Sequence, residues 1–403
     1  MTISQETAVR LSGRAAELER ELVNFTRELI AIPSITGSEG NAANHIAATM
    51  RKFDFDRVFI DRIGNVVGQI GRVGPRILYD AHIDTVGAGD PSAWPCDPFA
   101  GKLENGIIYG RGACDDKGPF AAMLFGARIL KDLGLVKGFT LYIVGSVNEE
   151  NCEGQAVGSL IEDEGVKPDY AVVGEASELT LRRGHKGRAL LSLTFPGTMV
   201  HASAPDRGDN PLYKAAPVVS AVAGLHERLG KGTGDPFLGK GSAAVTRLDS
   251  PAPSLNTVPG QAIIYVDRRL TAGESREQII GELQSLPGAE GAKVEIVMVN
   301  DPSHTGYVRP TEEFFPPWAL PEDHPLVQAG VRAYRQMFGS EPAVERWDFS
   351  TNGTYTMGMA GIPTIGFGPG EGKWAHTSQD QVPVKQLVKA AKFYAALPLT
   401  LIE

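Results

Sequence analysis

The sequence predicts an α/β protein in two bodies, with the second inserted into the first. Three observations predict it. The chain has 403 residues, which is too long for one ordinary core. Up to Val173, apolar runs that end in polar motifs alternate with helical patterns, as in a sheet whose site lies beyond the carboxyl ends of its strands. From about residue 183 the pattern becomes β-α-β-α-β without acidic clusters at the strand ends. The expected division is 1–182 and 303–403 for the first body and 183–302 for the insert.

Taken in order, residues 15–31 have helical spacing through Leu18, Leu22, Phe25 and Leu29 and stop before Pro33. Residues 40–53 predict a second helix, and 58–60 and 65–70 two short strands. The run 76–79 is a strand that feeds Asp80-Ala81-His82-Ile83-Asp84. Residues 118–133 predict a helix, and 139–144 and 170–173 strands. In the insert, 189–195 and 263–270 alternate as strands, 293–299 is a third strand, and 211–229 and 275–286 are helices. Helices at 326–338 and 383–397 return to the first body, with a strand at 362–367 between them.

Composition removes several classes of function. Lys and Arg number 39 against 48 Asp and Glu, a net charge of −9. No basic block stands out, which argues against nucleic-acid binding. No apolar run reaches the ~18–20 residues of a membrane span. The first 19 residues are polar and lack the apolar stretch of a secretory signal. Three unpatterned cysteines, Cys96, Cys114 and Cys152, suit a reducing cytoplasm and argue against a disulfide frame or a thiolate zinc site.

Five clusters carry the chemistry. His82 and Asp84 stand at a strand end, where an imidazole can ligate a metal while a carboxylate takes its other ring N–H. Asp115 and Asp116 precede the 118–133 helix, where an N-capping Asp is the plainer reading. Glu149 and Glu150 follow the 139–144 strand, Glu175 follows 170–173, and His376 follows the Gly368-Pro369-Gly370 turn. Each cluster alone is ordinary surface or capping chemistry. Their order, His/Asp, Asp, Glu-Glu, Glu, His, makes chance a poor explanation.

With these motifs the chain resembles the M20 family of metallopeptidases and amidohydrolases, from about Glu21 to Phe393. The resemblance implies a catalytic three-layer α/β domain with a binuclear metal site, plus an inserted α+β lid domain that often mediates dimerisation. It makes His82, Asp115 and Glu175 the ligands of one metal. Asp115 bridges to a second metal held by Glu150 and His376. Glu149 becomes the general acid/base and Asp84 the partner of His82. It also implies a cis peptide between Asp115 and Asp116. In the insert, Gly197-Thr198-Met199-Val200-His201 resembles the lid motif whose histidine contacts the scissile carbonyl, frequently from a partner subunit. Asn256 and Arg269 lie in segments that resemble those holding a substrate carboxylate. Ser350-Thr351-Asn352-Gly353 departs from the family's Thr-Asp or Ser-Asp, keeping a hydrogen-bonding shape and losing a charge. That stretch and Arg183-Gly184-His185-Lys186-Gly187 are most similar to a bacterial branch described as selenium-metabolism-linked hydrolases.

A donor set of nitrogen and oxygen without thiolate suits two Zn²⁺, with Mn²⁺ or Co²⁺ as alternatives. The expected activity is hydrolysis of an amide in a small N-acyl amino acid with a free carboxylate, by a homodimer. Dipeptidase or carboxypeptidase action fits the same residues, and a catalytically silent binding protein is the reading from outside the enzymes. Alternation along a strand lets only one of Arg268 and Arg269 face the cleft, and motif position selects Arg269.

Overall fold

The structure, a computed structural model, describes residues 3–402. Its centre is a nine-stranded mixed sheet. Four strands in the middle run parallel, in the spatial order Thr140–Ser146, Arg76–His82, Tyr170–Val173 and Thr364–Gly366. Their carboxyl ends therefore open on the same edge, which is where the acidic motifs follow. The sequence of Arg76–His82 explains its double burial. Ile77, Tyr79 and Ala81 join one core, while Leu78 joins a second with Val144, Val157 and Leu160. Residues alternate across a strand, so an unbroken apolar run places side chains in both cores.

Helices cover both faces, giving three layers. Gln5–Ile30, Lys117–Asp132, Pro325–Phe338 and Val384–Leu401 pack together on one face. The short helix Gln155–Glu162 covers the other with Tyr355. The first helix begins ten residues before the expected position 15, because Ser4 accepts from the Thr7 N–H and caps a polar amphipathic turn.

The chain beyond residue 186 builds a second sheet with its own core. This sheet runs Ser242–Asp249, Gln261–Leu270, Gly187–Pro196, Lys293–Ile296. Ala189, Leu191, Leu193 and Phe195 alternate with half-exposed residues and face the helices Pro211–Lys231 and Arg276–Gln284. One face of this sheet is thus buried and the other is left open. Past residue 302, Phe314–Phe315 still pairs with Ala189 and Arg188 in this sheet. Several strands escape the sequence reading, the two longest of them Leu181–His185 and Ser242–Asp249. Leu181–His185 is disguised by Arg182 and Arg183, and Ser242–Asp249 has too few buried side chains to show a pattern.

His185 marks the seam where the central sheet gives way to the lid. It is fully buried, edge-on to Trp318 at 5.3 Å. Its Nδ1–H donates to the Lys186 carbonyl at 2.8 Å, and Nε2 accepts from the Thr351 N–H at 3.3 Å. Both bonds use the neutral ring, and burial pushes its pKa down to about 4 from 6.5. The unfolded chain takes up a proton near 6.5 that the folded chain refuses until about 4. This contribution to stability is therefore complete above pH 6.5 and is lost as pH falls toward 4, by on the order of 3 kcal/mol. Denaturant unfolding at pH 7 and pH 4.5 should show a smaller acid loss in His185→Gln than in the wild type. Equal losses in the two proteins would contradict the assignment.

Candidate metal centre

The parallel strands deliver the acidic and histidine side chains to one edge. His82 is the last residue of its strand and is 1% exposed. Its Nδ1–H donates to the Asp84 carbonyl at 3.0 Å, which fixes the tautomer and turns the Nε2 lone pair toward the acids. The sequence reading gave this role to the Asp84 carboxylate, but the nearer carboxylate oxygen is 3.5 Å from Nδ1. That carboxylate instead accepts from the backbone N–H groups of Glu149 and Glu150 at 3.2 and 3.1 Å, and from Thr36 Oγ1 at 2.8 Å. Asp84 therefore pins the turn that presents the two glutamates. Buried Glu39 assists by accepting from the N–H of Asn148, whose φ is +58°.

Asp115 lies between the two imidazoles. Its Oδ1 is 3.0 Å from His82 Nε2 and its Oδ2 is 3.2 Å from His376 Nε2. Glu150 Oε2 is 2.8 Å from the same His376 nitrogen, and Glu175 Oε1 is 3.7 Å from His82 Nε2. Glu149 stands nearby, its Oε2 4.0 Å from His82 Nε2. The peptide joining Asp115 to Asp116 is cis. Asp116 points inward, where Oδ2 accepts from the His82 N–H and Oδ1 is buried without a partner.

Donor atoms of His82, Asp116 and Glu175 all lie within 4.8 Å of one another, as do those of His82, Asp115 and Glu150. The sequence reading named Asp115 and passed over Asp116 as a donor. Burial raises the pKa of Glu149, Glu150 and Glu175, and neighbouring carboxylates raise them further. Hydrogen bonds that His376 donates to Asp115 and then to Glu150 push its pKa up to about 10. The cluster holds more buried negative charge than its two histidines balance, and it contains no thiolate. Such a site fits divalent cations with nitrogen and oxygen ligands. Cys114, beside the cluster, is buried with its thiol pKa raised, which leaves it inert.

Three buried side chains that support the cluster were not legible as such. Asp380 accepts from the N–H groups of Gly112 and Cys114 and from Arg111, clamping the loop before Asp115. Lys117 donates to the carbonyls of Leu29 and Ile32, which ties that loop's helix to the first helix. Asn352, the family departure, lies beneath the site. Its Nδ2 donates to Asp80 Oδ2 at 2.8 Å and Ser146 Oγ at 2.9 Å, while its Oδ1 accepts from the Gly154 N–H at 2.7 Å.

A cavity of about 390 Å³ opens on the cluster, with Arg188 and Arg269 contributed by the lid. Arg268, the neighbour, is 1% exposed and is held by Glu274 and Glu282 on the buried face. His201 and Asn256 are exposed on the lid, joined through the Ala202 N–H and the Asn256 carbonyl. Neither lines the cavity within the single chain.

The family model of peptidase family M20/M25/M40 matches residues 78–400. The uncharacterized protein YgeY of Escherichia coli K12 is 41% identical over 390 residues, 96% of each chain. The succinyl-diaminopimelate desuccinylase of Magnetococcus marinus is 27% identical over 387 residues, 93% of this chain and 97% of that one. Among solved structures, the M20 family metallo-carboxypeptidase Sso-CP2 of Sulfolobus solfataricus has the same fold, with a TM-score of 0.73 at 18% identity, covering 95% of this chain and 99% of that one.

Asn352→Asp would set a second carboxylate against Asp80, whose pKa burial already raises to about 6. It should destabilise the protein by roughly 1–3 kcal/mol, seen as a lower melting temperature at pH 7.5. An unchanged melting temperature would show that the amide is not required there.

Proposed function

The chain belongs to peptidase family M20/M25/M40, and from that membership we propose that it hydrolyses an amide bond of a small N-acyl amino acid. The observation that carries the reading is Asp115, whose two oxygens each face a different imidazole, His82 and His376. In this reading His82, Asp115 and Glu175 hold one cation, and Asp115, Glu150 and His376 hold the other. Zinc is the proposed metal, with Mn²⁺ or Co²⁺ as alternatives. Two such cations supply Lewis acidity toward the scissile carbonyl and lower the pKa of water.

The chain's own groups do the rest. Glu149, buried beside the cluster with a raised pKa, takes the water's proton on its carboxylate and passes it to the leaving nitrogen. His82, locked as the Nδ1–H tautomer, keeps Nε2 free for ligation. Arg269 receives the substrate carboxylate and so places the amide over the acid cluster. The desuccinylase relative supports removal of an acyl group from nitrogen. His201 and Asn256, exposed on the lid, serve in this reading as donors to the site of a second copy, in a homodimer. No helix among the described residues is long and apolar enough to cross a membrane, and three free cysteines favour a cytoplasmic setting.

Glu149→Gln should retain both metals in elemental analysis and lose turnover by a factor on the order of 10²–10⁴. Near-normal turnover would remove Glu149 from the proton path. Arg269→Ala should weaken kcat/KM for N-acyl amino acids by roughly 1.5–3 kcal/mol. The same change should matter far less when the substrate carboxylate is blocked as an amide. Equal losses on both substrates would take the carboxylate out of the recognition.

A further inference from the structure

Where the insert's arginines meet the turn after Glu150, the cavity carries an unbalanced set of charges. Arg188 and Arg269 are register partners on adjacent antiparallel strands, and both line the cavity. Like charges placed opposite each other repel, so each guanidinium needs its own counter-charge. Arg269 Nε donates to Asp267 Oδ1 at 2.8 Å, and Arg188 Nη2 donates to Glu313 Oε2 at 2.7 Å. These two pairs account for both cations. A third carboxylate, Glu153, lines the cavity, and the guanidinium of Arg188 comes no nearer to its Oε2 than 3.6 Å, beyond a hydrogen bond. Its Oε2 is closed off from solvent and accepts no hydrogen bond. Burial raises its pKa against the pull of Arg188.

We propose that Glu153 receives an ammonium group of the substrate and is a specificity-determining residue of this site. The inference rests on the hydrolase reading above and adds a second charged group to its substrate. An ammonium would give Glu153 the hydrogen-bonded counter-charge that neither guanidinium supplies. With its carboxylate on Arg269, such a substrate is a zwitterion and brings no net charge into the cavity. Glu153 sits three residues after Glu150, in the turn that leads into Gln155–Glu162. The anchor is therefore built on the same loop as the proposed acid/base.

Three compounds that differ by one ammonium group test this on the zinc-loaded full-length protein. N-acetyl-norleucine has none, Nα-acetyl-lysine has one in the leaving half, and glycyl-norleucine has one in the acyl half. One of the two charged compounds should exceed N-acetyl-norleucine in kcat/KM by roughly 10–100-fold, the worth of a hydrogen bond to a charged group. That ratio should collapse in Glu153→Gln and persist in Glu153→Asp. Equal kcat/KM for all three compounds, or a ratio unchanged in Glu153→Gln, overturns the proposal while leaving the hydrolase reading intact. If none is hydrolysed, the hydrolase reading fails, and calorimetric binding of the same compounds decides the subsite. Tighter binding of a charged compound that Glu153→Gln abolishes supports it, and equal binding overturns it.

Discussion

The structure turns on a shortage of positive charge at the carboxyl edge of its parallel strands. Asp115, Asp116, Glu149, Glu150 and Glu175 meet there, with the imidazoles of His82 and His376 among them. Carboxylates taken out of water and set side by side cannot all stay ionised without a partner. The raised pKa values of the three glutamates follow from that. Divalent cations are the plainest remedy that an all-oxygen and imidazole site allows. The position of Asp115 between the imidazoles gives the arrangement its two halves.

Holding such a cluster requires a scaffold that also satisfies its backbone. Asp84 does this from one side by accepting from two consecutive N–H groups, those of Glu149 and Glu150. Asp380 does it from the other by accepting from Gly112 and Cys114. Asn352 joins Asp80, Ser146 and Gly154 beneath the floor, so an amide there links three separate segments without adding to the negative charge. In each case a short polar side chain binds backbone far away in sequence. The acid cluster is thereby fixed by the sheet edge and not by any single loop.

Much of this was legible in the sequence because strand ends are local. Ile77 and Leu78 announce the strand, and His82 and Asp84 follow within six residues. The same logic finds Glu149, Glu150 and Glu175. The alternation of Gln261–Leu270 separates Arg268 from Arg269. What escaped were the pairings made across the fold. Nothing in the sequence tells that the Asp84 carboxylate serves Glu149 and Glu150, 65 and 66 residues later. Glu153 was likewise hidden as one more charge near Glu150. The strand Leu181–His185 was masked because its arginines lie at the seam, where Arg182 meets Glu345 and Arg183 stacks on Phe237.

The central claim is that the acid cluster exists to hold two cations astride Asp115. Anomalous diffraction from crystals grown with zinc tests it most directly. The account predicts two peaks, with Asp115 contributing one oxygen to each at ~2.0–2.2 Å and imidazole nitrogens at ~2.0–2.1 Å. A single ion away from Asp115, or zinc bound elsewhere with these carboxylates more than ~3 Å from it, would contradict the account.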